Sequence, residues 1–594
     1  MNKMITRSTF GFFRSLLNST RNTNTIMRAF LLALVGLLSS ARAIDVYIVA
    51  GQSNGWRLSH LAPAAGGTGP AVHYFGMNCV SEPDAAKLTA LPGLSEDTMG
   101  YGLAKAMRDA AGKEIVFVQY CRCGAPVTAR AANSWFPGED PANGKTYDEG
   151  LFSKFEKYIH TAKEQVEKLP GGKWEVKGLI WHQGEADIAT DKAVFERDLR
   201  NVFARFRSQF GARLPIVAGH IRDLGEKQRG VNAVLDKVAT GDPLMLTVPL
   251  DGVTYEPDGK DGQPNVHINR EGCHLLGAKM AVALGRLSLA AEVTAAGGKV
   301  EMGPEGLVAI DLYNGNNPLK GKGGRNEAIT DTWLAKLTDL KSIRRLDLAN
   351  CAITDAGMRH LAGLTSIEEL NLTLTAVTDA GLAHLGGLTR LRSLGLASTE
   401  CTGSGFAHLK GLKQLENVNF HHTPFNDAGL KAVSEVGLSG RLWFGHTKFT
   451  DAGAMHLAAL RQMKICGLGS KETASTGEAV AVLVGLPQLE DLSLLDNQAS
   501  PEGIAHAARI STLRRLDVSY APKADDASLK QIAGLPKLAE LSIGGSAFIT
   551  GDGLLALAGA PSLKKVTVGK MKNVTPEAIE ALKKKRPDIE MVTK

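Results

Sequence analysis

The sequence predicts an α/β chain built as two architectures in series: a three-layer αβα domain around a parallel sheet, then an α/β solenoid. From Ile44 to about Ala290 short apolar runs alternate with helical patterns, as expected for parallel strands covered on both faces. From residue 306 onward apolar positions return every 24 to 26 residues, and a fixed period in that range means stacked repeat units. Between them an Ala/Gly-rich stretch, AAEVTAAGGKV, reads as a linker over 291–305.

The length of 594 residues exceeds one ordinary domain. Apolar content of 44% and charge of 22% suit a globular protein. The net charge of +7 is scattered rather than blocked, so no nucleic-acid partner is implied. Residues 27–43, MRAFLLALVGLLSSARA, carry Arg28, a short apolar core and Ala41-Arg-Ala43, the layout of a cleaved secretory signal. That core is too short for a spanning helix, so no membrane span is expected once the signal is removed. Residues 1–26 fit either a long basic lead or a start placed upstream of Met27. The mature chain is then expected to begin at Ile44 and to be exported, to the periplasm, the cell surface or the medium. Seven cysteines leave at least one without a partner in a monomer. The C-x-C of Cys121 and Cys123 has no second cluster to complete a metal site.

In the first domain, IDVYIVAG, EIVFVQY, VKGLIWHQG and LPIVAGH read as strands. GLAKAMRDAAG and FSKFEKYIHTAKEQVEKL between them read as helices. Sheets of this kind place their sites past the carboxyl ends of strands. Directly behind the first strand stands Gly51-Gln-Ser53-Asn-Gly55, which fits G-x-S-x-G. In an α/β-hydrolase that elbow follows several strands, so the match is accidental. A serine after the first strand, with a histidine near the domain's end, instead resembles the SGNH hydrolases. Three blocks sharpen the likeness. Gly51-Gln-Ser-Asn54 resembles the G-Q-S-N of carbohydrate acetylesterases of the sialate O-acetylesterase type, and Trp181-His-Gln-Gly-Glu-Ala-Asp187 resembles their W-x-Q-G-E-x-D. The spacing of His267, Gly272 and Gly277 matches their H-x-x-x-x-G-x-x-x-x-G.

The resemblance implies an SGNH-type fold over 44–290 and a serine ester hydrolase acting on an acetylated carbohydrate. Ser53 is the expected nucleophile and His267 its base, since a hydroxyl needs a base within reach to attack an ester. Donors to the developing oxyanion are expected from the backbone N–H of Ser53, from Gly100 or Gly102, and from the Gln183 side chain. Gly124 stands in the Cys123-Gly124-Ala125 turn where relatives often carry G-G-S/T, and Glu185 is expected to order loops. Many relatives place an acid three residues before the histidine; here Pro264 and Asn265 follow Asp258 and Asp261. Asp261 is the candidate acid, with Asp258, Asp251 or a backbone carbonyl as substitutes. His182 and His274 are competing bases, and Trp56 and Trp135 candidate sugar-stacking walls. No metal or organic cofactor is implied.

In the second half Leu346, Leu370, Leu394, Val418, Leu442 and Cys466 follow one another at 24 residues, and Leu492, Leu516, Leu541 and Val566 continue the series, making about ten units. Most units read L-x-x-L-x-L followed by words such as VTDAGLAHLGGL, a consensus that resembles leucine-rich repeats. Each is expected to give one strand to a concave sheet and one helix to the convex side, with 306–340 as an irregular cap. Asn419, His421 and Trp443 fall together on the concave face, a candidate surface for a protein or glycan ligand. The rival reading is a binding protein whose esterase-like domain has lost activity, favoured by Pro264 at the acid position. A lipid or aryl ester substrate is disfavoured by the absence of a long apolar segment in the first domain.

Overall fold

A computed structural model describes residues 43–593 apart from 60, 65–68, 77–86, 129–133, 136–137, 140–145, 148–149, 171, 260–262, 304–305, 314–323, 470–476 and 496–499. The expected signal therefore lies outside the described residues. The chain divides into two compact units, Met1–Ser288 and Leu289–Lys594.

The first unit is built on seven strands: β1 Ile44–Gly51, β2 Val72–Gly76, β3 Thr89–Leu91, β4 Ile115–Cys121, β5 Trp174–His182, β6 Ile216–Gly219 and β7 Met245–Val248. Their order is β3-β2-β4-β1-β5-β6-β7, parallel throughout except for β3 on β2. Every residue of β1 and β4 is buried, which is why both read as unbroken apolar runs. Helices α1 Ser53–Ser59, α2 Tyr101–Ala111, α3 Leu151–Val166, α4 Lys192–Phe210, α5 Glu226–Thr240 and α6 Arg270–Ala295 surround the sheet. Trp135, Trp181, Phe155 and Phe206 form an aromatic core. The glycines near α6 are packing glycines. An added Cβ would fall 2.1 Å from the Thr254 carbonyl oxygen at Gly272 and 2.7 Å from the Leu103 nitrogen at Gly277.

The second unit carries a sheet of thirteen strands. It corrects the linker expectation: α6 runs on to Ala295, and Lys299–Gly303 (β8) pairs antiparallel with Gly306–Asp311 (β9) to open the sheet. Alanine and glycine there serve a helix end and a tight reversal. The repeat strands then run parallel, with Leu346, Leu370, Leu394, Val418, Leu442, Cys466, Leu492, Leu516, Leu541 and Val566 in one register. Glu590–Thr593 adds a final strand after the ten expected. Most convex-side helices are shorter than expected: Asp379–Leu382 is a single α-turn that tightens into a 3-10 turn at Ala383–Leu385. A 24-residue unit leaves little chain for more.

The T-D-A-G word has a cross-unit purpose. Thr378 Oγ1 caps its own helix by accepting from the Ala380 N–H at 3.2 Å. Asp355, one unit earlier, accepts from the Thr378 N–H at 2.8 Å and hydroxyl at 2.6 Å. Asp379 repeats this toward Thr402, Asp427 toward Thr450 and Asp526 toward Thr550. The glycine makes room, for a Cβ at Gly381 would sit 2.5 Å from Asp355 Oδ1. Asp355→Ala is therefore expected to lower the stability of the repeat unit by about 1.5–3 kcal/mol, the range for hydrogen bonds to a charged group. Chemical denaturation followed by the repeat unit's transition checks this; an unchanged midpoint would refute the interlock.

Candidate functional site

β1 lies between β4 and β5; the connection from β1 runs to the β4 side and the one from β4 crosses to β5, a switch point at the carboxyl ends of these strands, where ligands bind in open α/β sheets. Gly51 closes the strand at φ 135°, where an added Cβ would lie 2.1 Å from the His182 carbonyl oxygen. Only glycine meets both demands. The Gln52 N–H donates to that same oxygen at 3.0 Å, and the Arg122 N–H and Trp135 indole N–H donate to the Gly51 oxygen. The turn so fixed delivers the backbone of Ser53 to the start of α1. Its side chain, like that of Trp56, lies outside the described residues.

The neighbour Asn54 ties this turn to the loop of His267. Asn54 is 1% exposed. Its Nδ2 donates to Glu185 Oε1 at 2.9 Å and to the Val266 carbonyl at 3.1 Å, while its Oδ1 accepts from the Ile268 N–H at 3.1 Å. The residues on both sides of His267 are thus bonded to the residue after Ser53. His267 donates its own N–H to Asn265 Oδ1 at 3.0 Å, and its carbonyl accepts from the Glu256 N–H at 2.9 Å. Tyr255 pairs with Ile268 across the same small hairpin. From α1, Arg57 reaches Glu256 at 2.8 Å and the Ile268 carbonyl at 3.0 Å. Burial holds the His267 imidazole below the ordinary histidine value, and the Arg57 charge adds to this; Glu185 and Glu256 pull the other way. A lowered value favours the uncharged ring, the form a base requires.

Asp261 lies outside the described residues. Asp258 accepts the Asn265 N–H at 3.1 Å and faces Arg222, and Asp251 is exposed. Neither is among the charges that act on His267. Glu256, which sequence reading missed, is. The signal for it was the Pro/Gly/Asp-rich PDGKDGQPNV between TYE and HIN, a turn-forming composition; the Glu256 N–H meets the His267 carbonyl across it.

Gln183 needs correction as an oxyanion donor. Its amide nitrogen donates to the Ala125 carbonyl at 3.1 Å and to Asp187 Oδ2 at 2.6 Å, so both protons are committed. Asp187, fully buried, also accepts from the Val127 N–H, Thr128 and Thr190. Gln183 and Asp187 thereby hold the strand-end loop that carries Gly124, itself in a left-handed turn at φ 65°. Glu185 accepts from Asn54 Nδ2 through one oxygen, and its second oxygen is buried with no hydrogen-bond partner among the described residues. Gly100 precedes α2. Gly102 lies in it, where a Cβ would fall 2.0 Å from the His274 carbonyl oxygen, so close helix packing accounts for glycine there. His274 bonds the Thr98 carbonyl at 2.5 Å, which ties its ring to the loop before α2. His182 is buried and its ring packs on Gly219; burial pushes its pKa down. Trp135 is wholly buried, so it is core and no sugar wall.

Residues 43–286 match the family model described as carbohydrate esterase, sialic acid-specific acetylesterase, and residues 340–362 match a leucine-rich-repeat model. The first domain is thus similar to carbohydrate acetylesterases along nearly its whole length. Among solved structures, a carbohydrate acetylesterase from Xanthomonas citri is 16% identical with a TM-score of 0.30, over 41% of this chain and 56% of that one. A protein from Arabidopsis thaliana is 15% identical with a TM-score of 0.28, over 41% of this chain and 98% of that one. An internalin from Listeria monocytogenes is 17% identical with a TM-score of 0.32, over 43% of this chain and 76% of that one. No curated protein matches the chain at a significant level.

The charges around His267 give the esterase domain a testable pH signature. The acid limb of kcat/KM is expected below the ordinary histidine value of 6.5. Arg57→Gln removes a positive charge beside the ring and frees Glu256 from its ion pair. Both changes favour the imidazolium, so the limb is expected to move to higher pH; a limb that stays in place would contradict the assignment of His267 as the titrating base.

In the repeat domain a groove of about 760 Å³ runs along the concave face, lined by Arg345, Asp347, Asn371, Asn417, Asn419 and Trp443 among others. Asn419 and Trp443 are register partners on adjacent strands. Trp443 rests on the next strand, where a Cβ at Gly467 would lie 2.1 Å from the indole. His421 stands beyond the groove with its N–H on Asn419 Oδ1 at 2.9 Å. Burial first, then His422 and His446, push its pKa down to about 4.

Proposed function

We propose that the esterase domain removes acetyl groups from sugar hydroxyls through an acyl-enzyme on Ser53. Ser53 Oγ attacks the acetyl carbonyl as its proton passes to His267, and the sugar hydroxyl departs carrying that proton. Water then gives a proton to the same imidazole as it attacks the acyl carbon, and that proton returns to Ser53 Oγ as its bond to the acyl carbon breaks and acetate leaves. Backbone N–H groups at Ser53, Gly124 and the start of α2 are the oxyanion donors of this reading. Glu256 takes the part of the acid that Pro264 displaces, by holding the loop of His267 and steadying the imidazolium that forms. The observation that carries the reading is Asn54, whose side chain stitches the residues flanking His267 to the turn of Ser53. The protein acts outside the cytoplasm after cleavage before Ile44, and its repeats offer the concave face to a protein or glycan.

The test is acetate release from acetylated xylan, from an O-acetylated sialic acid and from a chromogenic acetate, using the chain from Ile44 onward. Activity on one sugar ester well above the others assigns the substrate. A chain inert on all three returns the rival reading, favoured by Pro264, of a binding protein with a silent esterase fold. Mass analysis of the exported protein, with Ile44 at its amino terminus, tests the export step.

A further inference from the structure

Two successive repeats place His421, His422 and His446 together at the end of their strands, with one ring nitrogen from each within 4.8 Å of the others. The rings of His422 and His446 stack at 4.0 Å and 12°, and His421 meets them edge-on at 4.3 and 5.1 Å. His421 and His446 are half-buried and His422 is exposed, so the cluster is both held and reachable.

The fold does not ask for histidine here. His422 and His446 occupy the left-handed position of the turn that follows each strand, at φ 57° and 56°. Other units put Asn350, Leu374, Ser398 and Tyr520 in that same conformation, so the turn accepts polar, apolar and aromatic side chains alike. The position of His421 is filled elsewhere by Ala349, Thr373, Ala397 and Ser519. At the equivalent place in the next unit stands Gly445, where a Cβ would lie 2.5 Å from the His421 ring and 2.8 Å from its Nε2. A larger residue there would drive His421 out of the cluster. What the three positions share is imidazole nitrogen, not a folding requirement.

We propose that His421, His422 and His446 bind one divalent transition-metal ion, with zinc the first candidate. Three imidazoles without a carboxylate suit borderline ions such as zinc, copper or nickel and disfavour magnesium and calcium, which prefer oxygen. Zinc–nitrogen bonds of about 2.0–2.1 Å place tetrahedral ligand atoms ~3.4 Å apart, up to ~1.4 Å closer than the 4.8 Å within which the three nitrogens lie, so binding turns the stacked His422 and His446 rings until both lone pairs face the ion. Three protein ligands leave a fourth position for water or an anionic ligand. The site cross-links two neighbouring turns of the solenoid and is independent of the ester chemistry. Sequence reading missed it because the ligands are 1 and 24 residues apart through the repeat period, a spacing that no linear metal motif has.

The test is zinc titration of the chelator-stripped full chain by calorimetry, with calcium and magnesium as controls. One zinc per chain is expected, with no comparable heat from the other two ions. Cobalt in its place is expected to give visible absorption bands. His422→Asn with His446→Asn is the matched variant, since Asn350 already occupies this turn and the fold tolerates it. It is expected to weaken zinc binding by about 100-fold or more while its thermal melt without metal stays that of the parent. Zinc binding that survives in this double variant would overturn the assignment, as would a parent chain that takes up no zinc.

Discussion

His267→Ala is expected to lower kcat/KM for acetyl-ester hydrolysis by about 10³-fold or more, the loss typical of removing the base from a serine–histidine unit. The reason is local. His267 sits on a hairpin whose backbone is bonded to Asn265 and Glu256, and those bonds use its main chain, not its ring. Alanine keeps them, so the thermal melt should change little while turnover collapses. Ser53→Ala is expected to cost as much, and the double variant no more than either alone, because the two groups act as one unit. Acetate release and a melting curve on the same preparations check all three. Losses that multiply in the double variant would mean that the two residues act independently.

Asn54→Ala is expected to have the next largest effect, and on stability as well as rate. Asn54 is nearly sealed from solvent and bridges Glu185, Val266 and Ile268. Alanine leaves the Ile268 N–H and a Glu185 oxygen without partners in a buried place, at about 1–3 kcal/mol for each orphaned group. It also releases the loop that aims His267, and a misplacement of about 1 Å can cost 10²-fold in rate. Asn54→Asp separates the two effects. The carboxylate still accepts from Ile268 but is buried against Glu185 and the Val266 carbonyl, so it should cost more stability than alanine when ionised and regain part of it as the pH falls. Chemical denaturation and kcat on both variants provide the comparison; full activity in Asn54→Ala would remove the bridge from the mechanism.

The parts of the molecule legible in sequence are those with a short or fixed period. The leucine register from Leu346 to Val566 could be read because every unit repeats it at 24 to 26 residues and each core position must stay apolar. Ser53 and His267 stand in local blocks whose residue types suit a strand end, and the turn of one is bonded to the loop of the other through Asn54. What escaped reading depends on pairing between distant segments. The Asp355-to-Thr378 bond joins residues 23 apart, so T-D-A-G looked like a helix cap alone. Glu256 meets His267 through a hairpin closed by a ten-residue span, with no spacing rule to announce it. Gln183 was misassigned because its block names the residue type but not where the amide points; only Asp187 and Ala125 decide that. The stretch after Ala290 was misread because alanine and glycine suit a helix end and a reversal as well as they suit a tether.

The most direct measurement is covalent capture. The chain from Ile44 onward is treated with a serine-directed fluorophosphonate, and peptide mapping locates the label as acetate release is followed. One label per chain, on Ser53, rising in step with the loss of activity and absent from His267→Ala, is the expected result. Activity that disappears while Ser53 stays unlabelled, or a label on another serine, would contradict the assignment of Ser53 and His267 as the catalytic pair.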